Sequence, residues 1–388
     1  MTDYTNKTLL PAGLRDVLPP DAAFEAGATH DVMAFFARHG YDRVRPPLIE
    51  FEESLLSGSG AAMSSQTFRV MDPLSQRMMG VRADMTLQVA RIATSRLSNA
   101  PRPLRLAYAG QVLRVKGSQL RPARQFGQAG IELIGATTPA ADAEVVLLAA
   151  EALMALGVAG VSVDLNLPTL VPSILAELGV AERQREELRL ALDRKDAAVV
   201  AAGPAGGMLS ALLAAVGPAD RALSALESVP LPARAAAERE ALIQVATLVR
   251  EGLPDLALTI DPVEHRGFEY HAGVSFAIFA RGAADELGRG GRYHAGNGGD
   301  EPATGATLFM DAVLETLPPL ARPSRLLIPA GTSRVTVADL QRQQWVTVAA
   351  LDPGADLRAE ALRLGCSHAY VEGHPVTVND QGRSVNET

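Results

Sequence analysis

The segment RQFGQAGIELIG, Arg124 to Gly135, decides how the rest of the chain is read. In an extended chain successive side chains point to opposite faces, so Arg124, Phe126, Gln128, Gly130 and Glu132 share one face while Ile131 and Leu133 lie on the other. The apolar pair marks the core side. Three polar side chains and a glycine in one row form either a solvated face or the floor of a pocket in which Gly130 leaves room for a ligand. Arg105–Arg114 has a similar length and character, and a loop separates the two, so a long antiparallel pair is predicted.

Working outward, Pro19, Pro20 and Asp21 open an amphipathic helix with Phe24, Ala28, Val32, Phe35 and Phe36 at helical spacing, and Gly40 stops it. A strand is expected over Asp42–Glu50. Thr67–Asp72 and Arg77–Arg82 read as paired strands around a turn, followed by a helix over Thr86–Leu97. After the long hairpin come a helix over Ala140–Leu156 and a strand over Val161–Leu167. From Leu170 to about Gly252 the composition turns to alanine, leucine and charge with loop breaks, which predicts an inserted helical module. Strand-like sequence resumes at Leu258, continues through Arg266–Ala280 and Gly288–Tyr293, and gives way to an apolar helix over Leu308–Leu317. The tail reads as one strand at Trp345–Leu351, one helix at Ala355–Leu364 and one strand at His368–Glu372.

Composition bounds the function. With 388 residues and 47% hydrophobic content the chain can bury a large core without staples. Its single cysteine, Cys366, cannot form an intrachain disulfide, and with no apolar signal-like run in Met1–Gly13 the expected compartment is the cytoplasm. The most apolar long stretch, Ala143–Val161, carries Glu144 and Glu151 seven apart on one helical face, so it is an amphipathic helix and no membrane span. A formal charge of -8 offers no general attraction for polyphosphate backbones. The glycines of Gly203–Gly207 lack the lysine and hydroxyl of a phosphate-binding loop, and the seven histidines show no metal-ligand spacing, so neither cofactor nor metal is expected.

Several segments resemble histidyl-tRNA synthetases, in the right order from Leu10 to about Leu317. LPAGLRDVLP at Leu10–Pro19 is similar to that family's opening signature, and GYDRVRPPLIE at Gly40–Glu50 to class II synthetase motif 1. VRADMTLQVAR at Val81–Arg91, YAGQVLR at Tyr108–Arg114 and RQFGQAGIELIG itself look like motif 2. RGFEYHAGVSF at Arg266–Phe276 and GRGGRY at Gly288–Tyr293 resemble the two histidine-specific signatures, and PATGATLFMDAV at Pro302–Val313 stands in the place of motif 3. The resemblance implies an α+β fold: a class II synthetase-like antiparallel sheet flanked by helices over residues 1–320, with the helical insertion at about 170–252, and a small C-terminal α/β segment over 321–388.

Departures from the synthetase pattern carry as much information. Motif 3 of synthetases ends in an arginine that grips ATP, and here Ala312 stands there; Lys116 replaces an acid two residues after Arg114. About 70 residues follow Pro318, short of the roughly 100 of a typical small domain such as the family's anticodon-binding one, so no tRNA partner is expected. The amino-acid half of the pocket is retained: the resemblance implies that Asp84, Thr86, Arg114, Gln128, Glu132, Arg266, Tyr270 and His271 bind histidine and that none is catalytic. Glu269 and His271 replace the usual Asp and Tyr. Asp84 suits the ligand's ammonium, Arg266 its carboxylate, and Glu132 an imidazole nitrogen.

A synthetase-like histidine pocket, a weakened ATP grip, no anticodon domain and the RADMT form at Arg82–Thr86 together resemble the regulatory subunits of ATP phosphoribosyltransferase. That resemblance implies a non-catalytic homodimer within a hetero-oligomer. It would be required by the short-form catalytic subunit in the first step of histidine biosynthesis and take L-histidine as its allosteric, feedback-inhibiting ligand. Two alternatives stay open at this level. A working histidyl-tRNA synthetase would exchange pyrophosphate with ATP, and an RNA-sensing relative would bind uncharged tRNA at physiological salt.

Overall fold

The computed structural model describes residues 9–56, 63–118, 121–265, 271–296, 301–318 and 323–378. The chain divides into two compact units, Met1–Pro318 and Pro319–Thr388.

Nine strands of the described residues build the main sheet of the first unit. In spatial order they are Asp42–Arg43, Leu104–Leu113, Gln125–Ile134, Glu301–Phe309, Gly288–Ala295, Ser275–Ala280, Val161–Asn166, Ala257–Asp261 and Gly217–Pro218. The six from Leu104–Leu113 to Val161–Asn166 pair antiparallel, and parallel pairs flank them. The long hairpin forms with Tyr108 opposite Gly130 and Leu106 opposite Glu132.

Both faces of this sheet are covered. Ala129, Ile131 and Leu133 pack with helices Asp21–Arg38 and Pro139–Ala155 and with the insertion in one continuous core. On the other face Tyr108, Phe126, Tyr293 and Phe309 pack with Met85, which precedes helix Thr86–Ser95, and with Val89, Ala90 and Ala93 on that helix's buried side. A fully buried side chain of this size contributes about 1.5–3 kcal/mol, so the helix is held by packing rather than propensity. The polar face of Arg124–Gly135 is therefore no solvated surface: Gln128 and Glu132 are fully buried.

The segments predicted as helices follow the sequence reading closely. Helix Asp21–Arg38 buries Ala28, Val32, Met33 and Phe36, and Gly40 with φ +80° turns the chain out of it. The insertion holds helices Leu170–Glu177, Glu182–Asp193, Ala197–Ala202, Gly206–Ala214, Ala219–Glu227 and Ala233–Gly252, with the short strand Gly217–Pro218 between the fourth and fifth.

Three strand readings differ from expectation. The continuous strand expected over Asp42–Glu50 is two: Asp42–Arg43 joins the main sheet, while Ile49–Phe51 pairs with Met78–Val81 in a separate three-stranded sheet completed by Arg69–Met71. Pro46 and Pro47, lacking an N–H, break the ladder between them, and their carbonyls accept instead from Arg82 Nη1 at 3.1 Å and Gln88 Nε2 at 2.9 Å. The second difference is strand Glu301–Phe309, which lies at the middle of the sheet and runs into helix Met310–Thr316. Its composition, with Pro302, Ala303, Gly305 and Ala306, gives little strand signal. The third is the tail.

That second unit holds a four-stranded sheet in the order Val346–Ala349, Arg325–Ile328, His368–Val371, His374–Thr377, with helices Arg334–Arg342 and Leu357–Arg363. Leu327 packs with Ala361, Cys366 and Ala369 on one face, and Leu326 and Ile328 pack with Val337 and Leu340 on the other. Two of these strands escaped the sequence reading because RLLI is only four residues long and HPVT carries a proline, which an edge strand tolerates.

Candidate functional site

Of the residues expected to form the pocket, Asp84, Thr86, Arg114, Glu132 and His271 line one cavity of about 390 Å³ in the first unit. Arg266 and Tyr270 lie outside the described residues. Gln128 is buried and does not line the cavity but is hydrogen-bonded to Asp84. Its Nε2 donates to Asp84 Oδ2 at 2.9 Å, and its Oε1 accepts from the Met85 N–H at 3.2 Å. Asp84 Oδ1 accepts from the Thr86 N–H at 2.9 Å. Both carboxylate oxygens are thus aimed by fixed donors at the start of helix Thr86–Ser95.

Glu132 lines the same cavity. Its Oε2 accepts from the Tyr293 hydroxyl at 2.8 Å and its Oε1 from the Tyr108 hydroxyl at 3.3 Å. Tyr108 Oη in turn lies 2.7 Å from Thr307 Oγ1 and 3.1 Å from Thr86 Oγ1. Register explains the cluster. Tyr108, Gly130 and Thr307 are direct neighbours on three adjacent strands, as are Leu106, Glu132 and Gly305. A Cβ on Gly130 would sit 2.5 Å from the Tyr108 hydroxyl oxygen, so this glycine makes room for a phenol of the protein itself, and the ligand space lies elsewhere. Across from Glu132, Gly305 leaves the carboxyl group the volume it occupies.

Burial sets the electrostatics. The Glu132 carboxyl is fully enclosed, and removal from water pushes its pKa up to about 8 against the opposing hydroxyl hydrogen bonds. Tyr108 is likewise raised by burial, then by the neighbouring Glu132 and Asp84. In the same cavity burial lowers the pKa of Arg114, opposed by Asp84 and reinforced by Arg121 and Arg289. Arg114 Nε donates to the Ala83 carbonyl at 3.3 Å and its guanidinium lies over the Phe126 ring. Arg289 pairs with Glu286 on the same rim. Arg121 lies 4.1 Å above the Phe309 ring and pairs with Asp285 at 3.1 Å. Ala312, where synthetases carry the ATP-gripping arginine, packs among apolar side chains of both cores.

Several members of this site were not singled out from sequence: Tyr108, Tyr293, Thr307, Gly305, Glu286 and Arg289. Tyr293 stood within GRGGRY and Thr307 within the motif 3 segment, but their reach to Glu132 depends on strand order and register.

A cavity lined by the carboxyl groups of Asp84 and Glu132, with guanidinium groups on its rim, offers partners of both signs to a small polar ligand. A family model described as histidyl-tRNA synthetase matches residues 13–313. Among curated proteins, an ATP phosphoribosyltransferase regulatory subunit from Paramagnetospirillum magneticum is 62% identical over 95% of this chain and 97% of its own length. The chain belongs to the ATP phosphoribosyltransferase regulatory subunit family. A further regulatory subunit, from Rhodospirillum centenum, is 58% identical over 96% of this chain and 97% of its own. The fold is likewise shared with a crystal structure of a regulatory subunit/histidyl-tRNA synthetase from Bacillus halodurans, at TM-score 0.77 and 23% identity over 92% of this chain and 96% of that one. It is shared also with an ATP phosphoribosyl transferase (HisG:HisZ) complex from Thermotoga maritima, at TM-score 0.59 and 18% identity over 74% and 97%. As a regulatory subunit the chain carries a class II synthetase-like sheet, and no helix of its described residues is long and apolar enough to cross a membrane.

Proposed function

We propose that this regulatory subunit binds L-histidine in the cavity between Asp84 and Glu132 and relays its concentration to the short-form ATP phosphoribosyltransferase catalytic subunit, which it also activates. The observation that carries the reading is the enclosed Glu132 carboxyl, framed by the Tyr108 and Tyr293 hydroxyls, in one cavity with an Asp84 whose carboxylate is fixed by Gln128. Arg266, next in sequence to His265, is the proposed carboxylate partner, and Tyr270 and His271 of the same segment are proposed as further ligand residues. The catalytic partner is supported by the names of the relatives and by the complex from Thermotoga maritima. The chain itself performs no amino-acid activation in this reading, because Ala312 supplies no charge to a nucleotide phosphate. The second unit is proposed not to serve as an anticodon-binding domain, so tRNA is no partner. Cys366, which cannot form an intrachain disulfide, suits the cytoplasm.

Histidine can regulate only if active and inhibited assemblies differ in affinity for it, and that coupling is reciprocal. Titrating histidine into the reconstituted complex while following phosphoribosyl transfer is therefore the test. Glu132→Ala or Arg266→Ala in this subunit is expected to raise the half-inhibitory histidine concentration about tenfold or more, since a charge-assisted hydrogen bond contributes about 1.5–3 kcal/mol. Activation without histidine should stay near normal. Unchanged inhibition in both variants overturns the reading, as does robust histidine-dependent pyrophosphate exchange by the chain alone.

We also propose a homodimer through the region of helix Asp21–Arg38 and the small sheet. Leu48, Ile49, Val70, Met71 and Met78 are exposed on or beside that sheet, an apolar group that a two-fold contact would cover. Sedimentation of the chain without its partner is expected to give twice 40.8 kDa at micromolar concentration, and a monomer would refute it.

A further inference from the structure

We infer, on the reading that the cavity takes histidine, that Glu132 meets the ligand as a carboxylic acid and hands its proton to the ring, so that histidine is held as an imidazolium against a carboxylate. The geometry around Glu132 is the reason. Glu132 is fully buried, and among the described residues the groups that face it are neutral hydroxyls or an acid: Tyr108 from strand Leu104–Leu113, Tyr293 from Gly288–Ala295, and Thr86 with Asp84 from the start of helix Thr86–Ser95. Asp84 disfavours a second negative charge nearby. His271 lines the same cavity, and Arg114 stands on the Asp84 side, its guanidinium on the Ala83 carbonyl. Among the described residues no lysine, arginine or histidine forms an ion pair with Glu132 within 4 Å. A carboxylate there without a cation would have only hydroxyl hydrogen bonds to offset its burial, and the ligand's ring is a base that can supply the cation.

The step is a simple proton transfer. The O–H bond of Glu132 breaks, the lone pair of one ring nitrogen takes the proton, and the carboxylate keeps the electron pair of the broken bond. Near neutral pH the empty carboxyl, at about 8, is mostly protonated, and a free imidazole, at about 6.5, is mostly neutral. The gap of about 1.5 is within the shift of 1–3 that an opposite charge within about 4–6 Å supplies. Formation of the pair therefore reverses the order of the two groups, with no net exchange of protons with solvent.

Histidine labelled with ¹⁵N at both ring positions, bound to the full chain at about pH 7, reads this directly. Both ring nitrogens are expected to show the protonated signature although the free ligand at that pH is mostly neutral. Calorimetry in buffers of different ionisation heat is expected to give close to zero protons exchanged. A bound ring with one unprotonated nitrogen overturns the inference, and so does release of about one proton, which marks a neutral ring on a Glu132 that has ionised to the buffer. Glu132→Gln is expected to bind a neutral ring or to lose at least about tenfold in affinity. An imidazolium bound by it with unchanged affinity also overturns the inference. No histidine binding by the wild-type chain in either measurement would instead remove the functional reading itself.

Discussion

Gly305→Ala is expected to unseat Glu132 and abolish histidine binding at concentrations that saturate the wild type. A Cβ at this position would lie 1.8 Å from Glu132 Oε2 and 2.5 Å from Cδ. A flexible acid on a surface would swing aside, but this one is fully buried, with both oxygens hydrogen-bonded to tyrosines on two different strands. Moving it means overpacking, which costs about 1–3 kcal/mol, and separating a buried carboxyl from its donors, which costs about 1–3 kcal/mol more. Urea denaturation should therefore report a loss of about 2–6 kcal/mol. The double variant Gly305→Ala with Glu132→Ala removes the colliding group, so its stability should lie close to that of Glu132→Ala alone, a coupling about as large as the loss caused by Gly305→Ala itself. A Gly305→Ala chain as stable as the wild type and binding histidine normally would show that the strands yield at this crossing.

The second large effect is on stability against pH. The folded pKa of Glu132, about 8, stands above its ordinary 4.5. A group raised in this way favours the folded state fully below about 4.5, and the advantage is lost as pH rises until the folded value is passed near 8. At about 1.4 kcal/mol per unit, the first unit gives up on the order of 5 kcal/mol between those limits, an upper bound because local opening limits any one cost. Asp142, raised by burial despite Arg292, adds in the same direction, whereas Glu144, lowered chiefly by its bonds to Arg105, contributes stability that disappears only at acid pH. Denaturation at pH values spanning 5 to 8.5 should show a slope that Glu132→Gln flattens. Equal slopes in the two chains would mean that Glu132 remains ionised throughout, and the burial argument fails.

The acid at the heart of both effects was visible in the sequence, and most of its surroundings were not. Alternation in Arg124–Gly135 puts Gln128 and Glu132 on one face without any knowledge of the fold. It does not reveal that helix Thr86–Ser95 covers this face, because a polar row reads the same on a surface and in a pocket. Tyr108 becomes part of the site only through its position opposite Gly130, and hairpin register is set by geometry that a loop of uncertain length conceals. Strand Glu301–Phe309 gave no signal because the requirements of the site oppose strand propensity there: residue 305 must be small for Glu132, and small residues read as turn or helix. Similarly, Pro46 and Pro47 announce a break, but only the three-dimensional pairing explains why the chain changes sheets at that point. Motif resemblance supplied what periodicity could not, namely the order of the segments and the identity of Ala312 as a departure.

Strand Glu301–Phe309 also fixes when the first unit can exist during synthesis. It is the last of the nine strands to leave the ribosome, yet it sits between Gln125–Ile134 and Gly288–Ala295 and is the only described strand that hydrogen-bonds to both. Until it is made, the hairpin of residues 104–134 and the group of strands formed from residues 161–295 share no ladder, and each presents an unpaired edge. A nascent chain of about 300 residues is thus two unfinished sheets, exposed to mispairing for as long as translation dwells there. Pauses or rare codons shortly before residue 301 would lengthen that interval, and a chaperone that shields strand edges would act on this protein late in its synthesis.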